Sequence, residues 1–235
     1  MGISERRICR VLVQHRSTQG PSHCGAKAFN RYYPMILLTA FSGLRLSEIR
    51  GLPWVALDLK KQMLRVYQRA DRYGSIGRVK SAAGIRKIHL NRIVCDALAE
   101  WQKICPDSKY DLVFPNGKGN VETPKNIGDR CWHRAQELAG LVTVVTPKSG
   151  RRAAVLKHRF TFHSIRHFFA SLRLSSGYTG KELMTEIGHS TIALTMDLYG
   201  HLFEDDDAGR NTRAEKSAKD FMGDTTGVKK RDTTS

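Results

Sequence analysis

His189-Ser190-Thr191 opens a segment that runs through Met196-Asp197 to Tyr199, and a second dense cluster, His163-Ser164-Ile165-Arg166-His167, lies just upstream. Between them the two segments offer imidazoles, a guanidinium and a phenol, with no thiol, carboxylate pair or metal cage. That set suits phosphoryl chemistry on a pre-charged polyanion, with a tyrosine as the attacking group. A phenol with a pKa near 10 is only about a thousandth ionised at neutral pH. A tyrosine nucleophile therefore needs cations and a proton acceptor around it.

His163 and Arg166 are one helical turn apart and so share a helix face. Arginine offers phosphate oxygens a planar fork that lysine cannot copy. A histidine at that distance can exchange a proton with an attacking or leaving oxygen. His163 and His167, at i and i+4, also have the spacing of a zinc pair, but the HExxH glutamate and an evident third ligand are absent. His167 alone reads as a core or supporting histidine. Arg45 comes from a turn between two helices, where it either points into a cleft or pairs with Glu48 at the surface. Glu48 has no partner carboxylate and reads as a buttress for an arginine rather than a catalytic acid. A tyrosine at a helix end is ordinarily a packing residue; only its company gives Tyr199 another role.

Those side chains need a scaffold, and the chain has one to offer. Hydrophobic residues make up 40% of its 235 residues, enough for one well-buried domain or a domain with an appendage. Lys and Arg number 39 against 22 acidic residues, a formal charge of +17. A surface that positive repels itself unless its partner is a polyanion, and nucleic acid is the first reading. The plainer reading is a basic protein that binds RNA or acidic surfaces without doing chemistry. The basic residues are dispersed and no lipid-facing amphipathic helix stands out, so a membrane partner is not expected. Five scattered cysteines without a CxxC pair support neither a zinc ribbon nor a redox motif. Residues 1–10 lack the apolar stretch of a signal peptide, and the longest apolar run, at 35–41, is too short to span a bilayer. The expectation is a cytoplasmic, DNA-associated protein with reduced thiols.

Hydrophobic periodicity predicts a buried helix over 29–42, stopped by Gly43, and a short helix that Pro53 cuts off. Alternation over 63–69 and 86–90 predicts a small antiparallel sheet, with Lys80 in the connecting hairpin or at a strand end. Helices are expected at 91–104, with Ile93, Val94, Ala97, Leu98 and Trp101 apolar, and at 124–138. A brief extended piece and turn fall at 112–117, and 143–159 reads as an irregular basic insertion or a ligand-facing loop. Three helices follow, at 163–175, 181–187 and 191–198, separated by Gly177, Gly180 and Gly188. Residues 1–27 read as a weak helix and loop, and the tail from 204 turns from acidic to basic.

In this arrangement the chain resembles the catalytic domain of the tyrosine recombinases, the phage-integrase family. Ser42-Gly43-Leu44-Arg45-Leu46-Ser47-Glu48-Ile49 is similar to the first arginine box and His163-x-x-Arg166-His167 to the second. Leu183 to His189, then Met196-Asp197-x-Tyr199-Gly200-His201, are similar to the third-histidine and nucleophile region. Val79-Lys80-Ser81-x-x-Gly84-x-Arg86-x-Ile88-x-Leu90 resembles the hairpin that carries the catalytic lysine. The resemblance spans residues 29–203 in the right order.

It implies an α+β, mainly α fold with a small antiparallel β-sheet, and domain bounds of 1–27, 28–203 and 204–235 for a basic segment, the catalytic domain and a protomer-contacting tail. It also implies roles. Tyr199 attacks a phosphodiester of double-stranded DNA and forms a 3′-phosphotyrosyl link. Arg45 and Arg166 hold the non-bridging oxygens, His189 adds a hydrogen bond, His163 assists proton transfer at the tyrosine oxygen, and Lys80 protonates the departing 5′-oxygen. No metal or nucleotide cofactor is called for, and a homo-tetramer on DNA is the expected assembly. Lys80 is preferred to Lys87 for its place before the Gly84-x-Arg86 pattern.

The departures are Ser42 where threonine is common, Ser164 where an acidic residue is frequent, and a front too short for the helical core-binding domain that members usually carry. A type IB topoisomerase-like enzyme and a catalytically inactive DNA-binding remnant are the alternatives.

Overall fold

The segment expected at 29–42 has apolar residues around most of its circumference, and its place is the middle of the protein. It forms α1 (Ala26–Ser42), in which Met35, Ile36, Leu37, Leu38 and Ala40 are all buried. The computed structural model describes residues 26–145 and 155–200, so most of the segment expected at 1–27 and all of the tail expected from 204 onward lie outside the described residues. Gly43 ends α1 with φ 61°, and a Cβ there would sit 2.4 Å from Cδ1 of Phe169. Only glycine combines that left-handed turn with so close an approach.

Helix α2 (Leu46–Arg50) follows. The strands β1 (Leu57–Asp58), β2 (Met63–Val66), β3 (Gln68–Ala70), β4 (Ile76–Arg78) and β5 (Arg86–His89) come next. The expected single strand over 63–69 is broken at Tyr67. Its first half pairs antiparallel with β5, Leu64 opposite Ile88, in the three-stranded sheet β1-β2-β5. Its second half turns away to pair with β4, Gln68 opposite Arg78, as a separate hairpin. Alternation predicted the pairing of β2 with β5, but carries no mark of the change of partner.

Helix α3 (Arg92–Gln102) is capped by Asn91, whose side chain accepts from the Val94 N–H. Val94, Ala97, Leu98 and Trp101 face inward as expected, whereas Ile93 is exposed. Trp101 donates its indole N–H to the Val113 carbonyl at 2.6 Å, fastening the extended piece around 112–115 to the core. The 124–138 helix begins as α4 (Pro124–Asn126), widens into π-helical turns over Ile127–His133 and closes as α5 (Arg134–Leu138).

Residues expected to be irregular at 143–159 instead carry two strands. β6 (Val142–Val145) and β7 (Val155–His158) pair antiparallel, Val142 opposite His158. The β-branched runs Val142-Thr143-Val144-Val145 and Val155-Leu156 favour strands; the lysine and arginines between them obscured that signal. α6 (Ser164–Ser175), α7 (Gly180–Ile187) and α8 (Ile192–Tyr199) complete the fold. Gly180 is the first residue of α7 rather than a separator.

α1 packs against α3 and α6, while Phe169, Ala170, Leu183, Ile187 and Tyr199 form a second, smaller cluster where α6, α7 and α8 meet. Among the described residues no helix is long and apolar enough to cross a membrane.

Candidate active site

Helix α7 is built to stop at a defined place. Thr179 and Glu182 cap its start reciprocally, the hydroxyl accepting from the Glu182 N–H and the carboxylate from the Thr179 N–H at 2.7 Å. Its end is Gly188, with φ 73°, where a Cβ would meet the Ala83 carbonyl at 2.9 Å and Nη1 of Arg86 at 3.0 Å. A helix end leaves carbonyls without helical partners. Here two arginines take them: Nη2 of Arg166 donates to Ile187 O at 2.9 Å, and Nη2 of Arg45 to Gly188 O at 3.0 Å. Nη1 of Arg166 also donates to the Gly43 carbonyl at 2.6 Å, so the glycine that ends α1 orients the arginine that leaves α6.

Glu48 is the buttress expected from the sequence, and it braces two arginines. Its carboxylate accepts from the Arg45 N–H, from Nη1 of Arg45, and from both terminal nitrogens of Arg86. Burial pushes the Glu48 carboxyl up, but Arg86 and Arg45 outweigh it and hold the group below its ordinary value. Arg86 also donates to Glu186 O at 2.7 Å and Gly84 O at 3.1 Å, tying the β5 strand and the turn before it to the end of α7.

Three guanidiniums thus converge with one carboxylate between them, leaving positive charge unbalanced in a mostly buried setting. Arg166 is 2% exposed. Burial, then the charge of Arg45, push its pKa down to about 9. An anion bound there would relieve both effects.

Tyr199 closes α8 and is 2% exposed, its ring parallel to that of His189 (7° between planes, centroids 6.4 Å apart) and edge-on to His167 at 5.6 Å. Burial raises the phenol pKa, while Arg166 and Arg45 pull it back down. His189 is buried, and Nδ1 lies 3.0 Å from the Thr195 hydroxyl, one turn into α8. Burial and the charges of Arg166, Arg45 and Arg86 push its pKa down to about 4, so the ring is neutral at pH 7. His163, the residue before α6, lies edge-on to His167 at 5.0 Å. It too is held below its ordinary value, by burial first and then by His167, Arg166 and Arg45. Among the described residues no group of three potential ligands could hold a metal ion.

Lys80 is exposed and follows β4. With Arg45, Glu48, Arg69 and Arg72 it lines a cleft of about 570 Å³ on the Arg45 side of the site. Lys87 instead projects outward from β5.

Residues 21–205 match the phage integrase family. The chain belongs to that family. Its integrase relatives include prophage integrase IntR of Escherichia coli K12, 25% identical over 177 residues that cover 70% of this chain and 42% of the relative. Tyrosine recombinase XerD of Shewanella oneidensis is 24% identical over 203 residues, 85% of this chain and 56% of the relative. The chain therefore spans about half the length of the curated integrases and recombinases it matches. In fold it is similar to the Tn1549 transposon integrase solved with transposon right end DNA, with a TM-score of 0.67 at 22% identity, covering 89% of this chain and 63% of that one. The expected integrase fold, mainly α with small antiparallel sheets, is the one observed.

Of the six expected integrase residues, Arg45, His163, Arg166, His189 and Tyr199 share one electrostatic neighbourhood, and Lys80 shares the adjoining cleft with Arg45. Two contributors escaped the sequence reading. Arg86 stood in a recognised pattern, but its buried side chain had no visible partner. Thr195 looked like one more residue of a helix, although its place six residues after His189 permits a contact once α8 turns back.

Proposed function

We propose that this chain is the catalytic domain of a site-specific DNA recombinase of the integrase type, which cleaves and rejoins DNA through a 3′-phosphotyrosine intermediate. The observation that carries this reading is the unbalanced charge of Arg45 and Arg166 beside Tyr199, a phenol that needs that charge in order to react. Tyr199 Oη attacks the scissile phosphorus and the bond to the 5′-oxygen breaks. His163 receives the phenol proton, and Lys80 delivers a proton to the departing oxygen. Arg45 and Arg166 hold the non-bridging oxygens as negative charge builds on them, and neutral His189 donates a hydrogen bond from Nε2 while Nδ1 accepts from Thr195. Losing one such donor typically costs about 3 kcal/mol, or a hundredfold or more in rate. The ester conserves the bond energy for rejoining, so no nucleotide cofactor is required.

In this reading residues 28–203 are the catalytic domain, flanked by a basic segment at 1–27 and a tail at 204–235 that contacts a neighbouring protomer. Double-stranded DNA is the partner, and recombination between two sites uses four active sites, hence a tetramer. The solved Tn1549 integrase complex with transposon DNA supports the choice of DNA.

The test is covalent capture. Labelled, nicked duplexes carrying candidate attachment sequences are incubated with the protein and with Tyr199→Phe, without metal, and resolved on a denaturing gel. A retarded band that needs the tyrosine is expected. Equal bands for the two proteins, or DNA binding by both with no band on any duplex, would overturn the assignment.

A further inference from the structure

We propose that Arg69 is a second phosphate-binding residue, holding a DNA backbone phosphate that flanks the scissile one. This rests on DNA being the substrate. Among the described residues, Nε of Arg69 is the one buried side-chain nitrogen or oxygen without a hydrogen-bond partner. A buried donor left unpaired is costly, and native proteins seldom tolerate one unless a ligand, ion or water completes it. Arg69 lines the cleft that Arg45 and Lys80 also line, which puts its side chain on the wall that a DNA strand would follow with its scissile phosphate at Arg45.

The backbone holds Arg69 in that position. A Cβ on Gly51 would lie 2.5 Å from the Ala70 nitrogen and 2.6 Å from the Arg69 carbonyl carbon, so β3 lies directly against the end of α2. Gln68 Nε2 locks the contact by donating to Gly51 O at 2.8 Å. The helix that begins beside Arg45 is therefore joined to the strand that presents Arg69, which fixes the spacing of two cationic groups along one cleft. The charge of Asp71 reaches Arg69, but no ion pair forms between the two. Oδ1 of Asp71 accepts from the Tyr73 and Ser75 N–H groups, and Arg50 is committed to the carbonyls of Glu122 and Asp71. Arg72 stacks over the Tyr73 ring, 4.7 Å from its centroid. The acceptor that suits a planar fork on a cationic wall is a phosphate diester.

The salt dependence of binding tests this without requiring cleavage. Affinity for a 30-base-pair duplex of arbitrary sequence is measured between 50 and 200 mM salt for the full chain, Arg69→Gln, Arg69→Lys and, as a control, Lys103→Gln just past the end of α3. Removing one phosphate contact lowers the log–log slope by about 0.9, so the wild-type protein loses about threefold more affinity than Arg69→Gln over that range. Arg69→Lys keeps the slope but binds several-fold more weakly, because it keeps the charge and loses the fork. It reports even if the glutamine variant folds poorly. Slopes and affinities of both variants matching the wild type would overturn the inference. A changed slope without any tyrosine-dependent covalent band would instead uphold Arg69 and sink the recombinase reading.

Discussion

Arg45 and Arg166 donate to consecutive carbonyls: Nη2 of Arg45 to Gly188 at 3.0 Å and Nη2 of Arg166 to Ile187 at 2.9 Å. Two residues 121 positions apart in the chain are thus brought together by one helix end. The negative end of the α7 dipole steadies two like charges that would otherwise repel. Because the carbonyls are adjacent, the fold itself holds the two guanidiniums near one another, a preorganisation that the proposed phosphoryl transfer would draw on.

Glu48→Gln should destabilise the fold by on the order of 3 kcal/mol, because it leaves the buried Arg86 guanidinium without its counter-charge. Urea unfolding at pH 7 measures this. The Glu48 carboxyl is held below its ordinary 4.5, despite the opposing effect of burial. Its contribution is therefore full above that value and is lost as pH falls through the folded pKa. The gap between wild type and variant should narrow on acidification.

The histidines give a second pH signature. His189 titrates near 4 in the fold against 6.5 in the unfolded chain, and His163 and His167 are displaced in the same direction, each chiefly by burial. Between those values the unfolded chain binds more protons, so stability rises with pH from about 4 to 6.5 and levels off above. Thermal melts across that window should show the rise, with a shallower slope for His189→Gln. An identical slope would mean that His189 is not depressed.

Thr195→Val is expected to slow covalent capture by tenfold or more while leaving DNA affinity unchanged. The substitution keeps the side-chain volume but removes the hydroxyl 3.0 Å from Nδ1 of His189, freeing the ring to turn and to change tautomer. The loss of one hydrogen bond corresponds to about 1–2 kcal/mol. Single-turnover capture rates and duplex binding, measured side by side, separate the two effects.

Gly43→Ala should cost several kcal/mol. A left-handed φ of 61° is unfavourable for alanine, and the methyl would fall 2.4 Å from the Phe169 ring. Any shift that relieves the clash also displaces the carbonyl that orients Arg166, so capture should fall even at temperatures where the variant is folded. A variant with wild-type melting temperature and capture rate would show that the turn has room to spare.

Much of this protein could be read from local sequence. The helices were visible because apolar periodicity and stops such as Gly43 and Gly188 act within a few residues of the structure they specify. The candidate site was visible because a phenol, two guanidiniums and two imidazoles are informative as residue types wherever they lie. Charge composition pointed to a polyanion for the same reason. Three features depended on the tertiary structure: the change of partner at Tyr67, the hub of Arg86 on Glu48, and the hold of Thr195 on His189. In each, a side chain or strand edge meets a group that chain order does not place beside it. Glu48 and Arg86 are 38 residues apart and become a pair only once β5 packs behind α2 and the end of α7. Contacts between distant segments depend on how whole elements pack, and a local pattern records only which face of each element is buried.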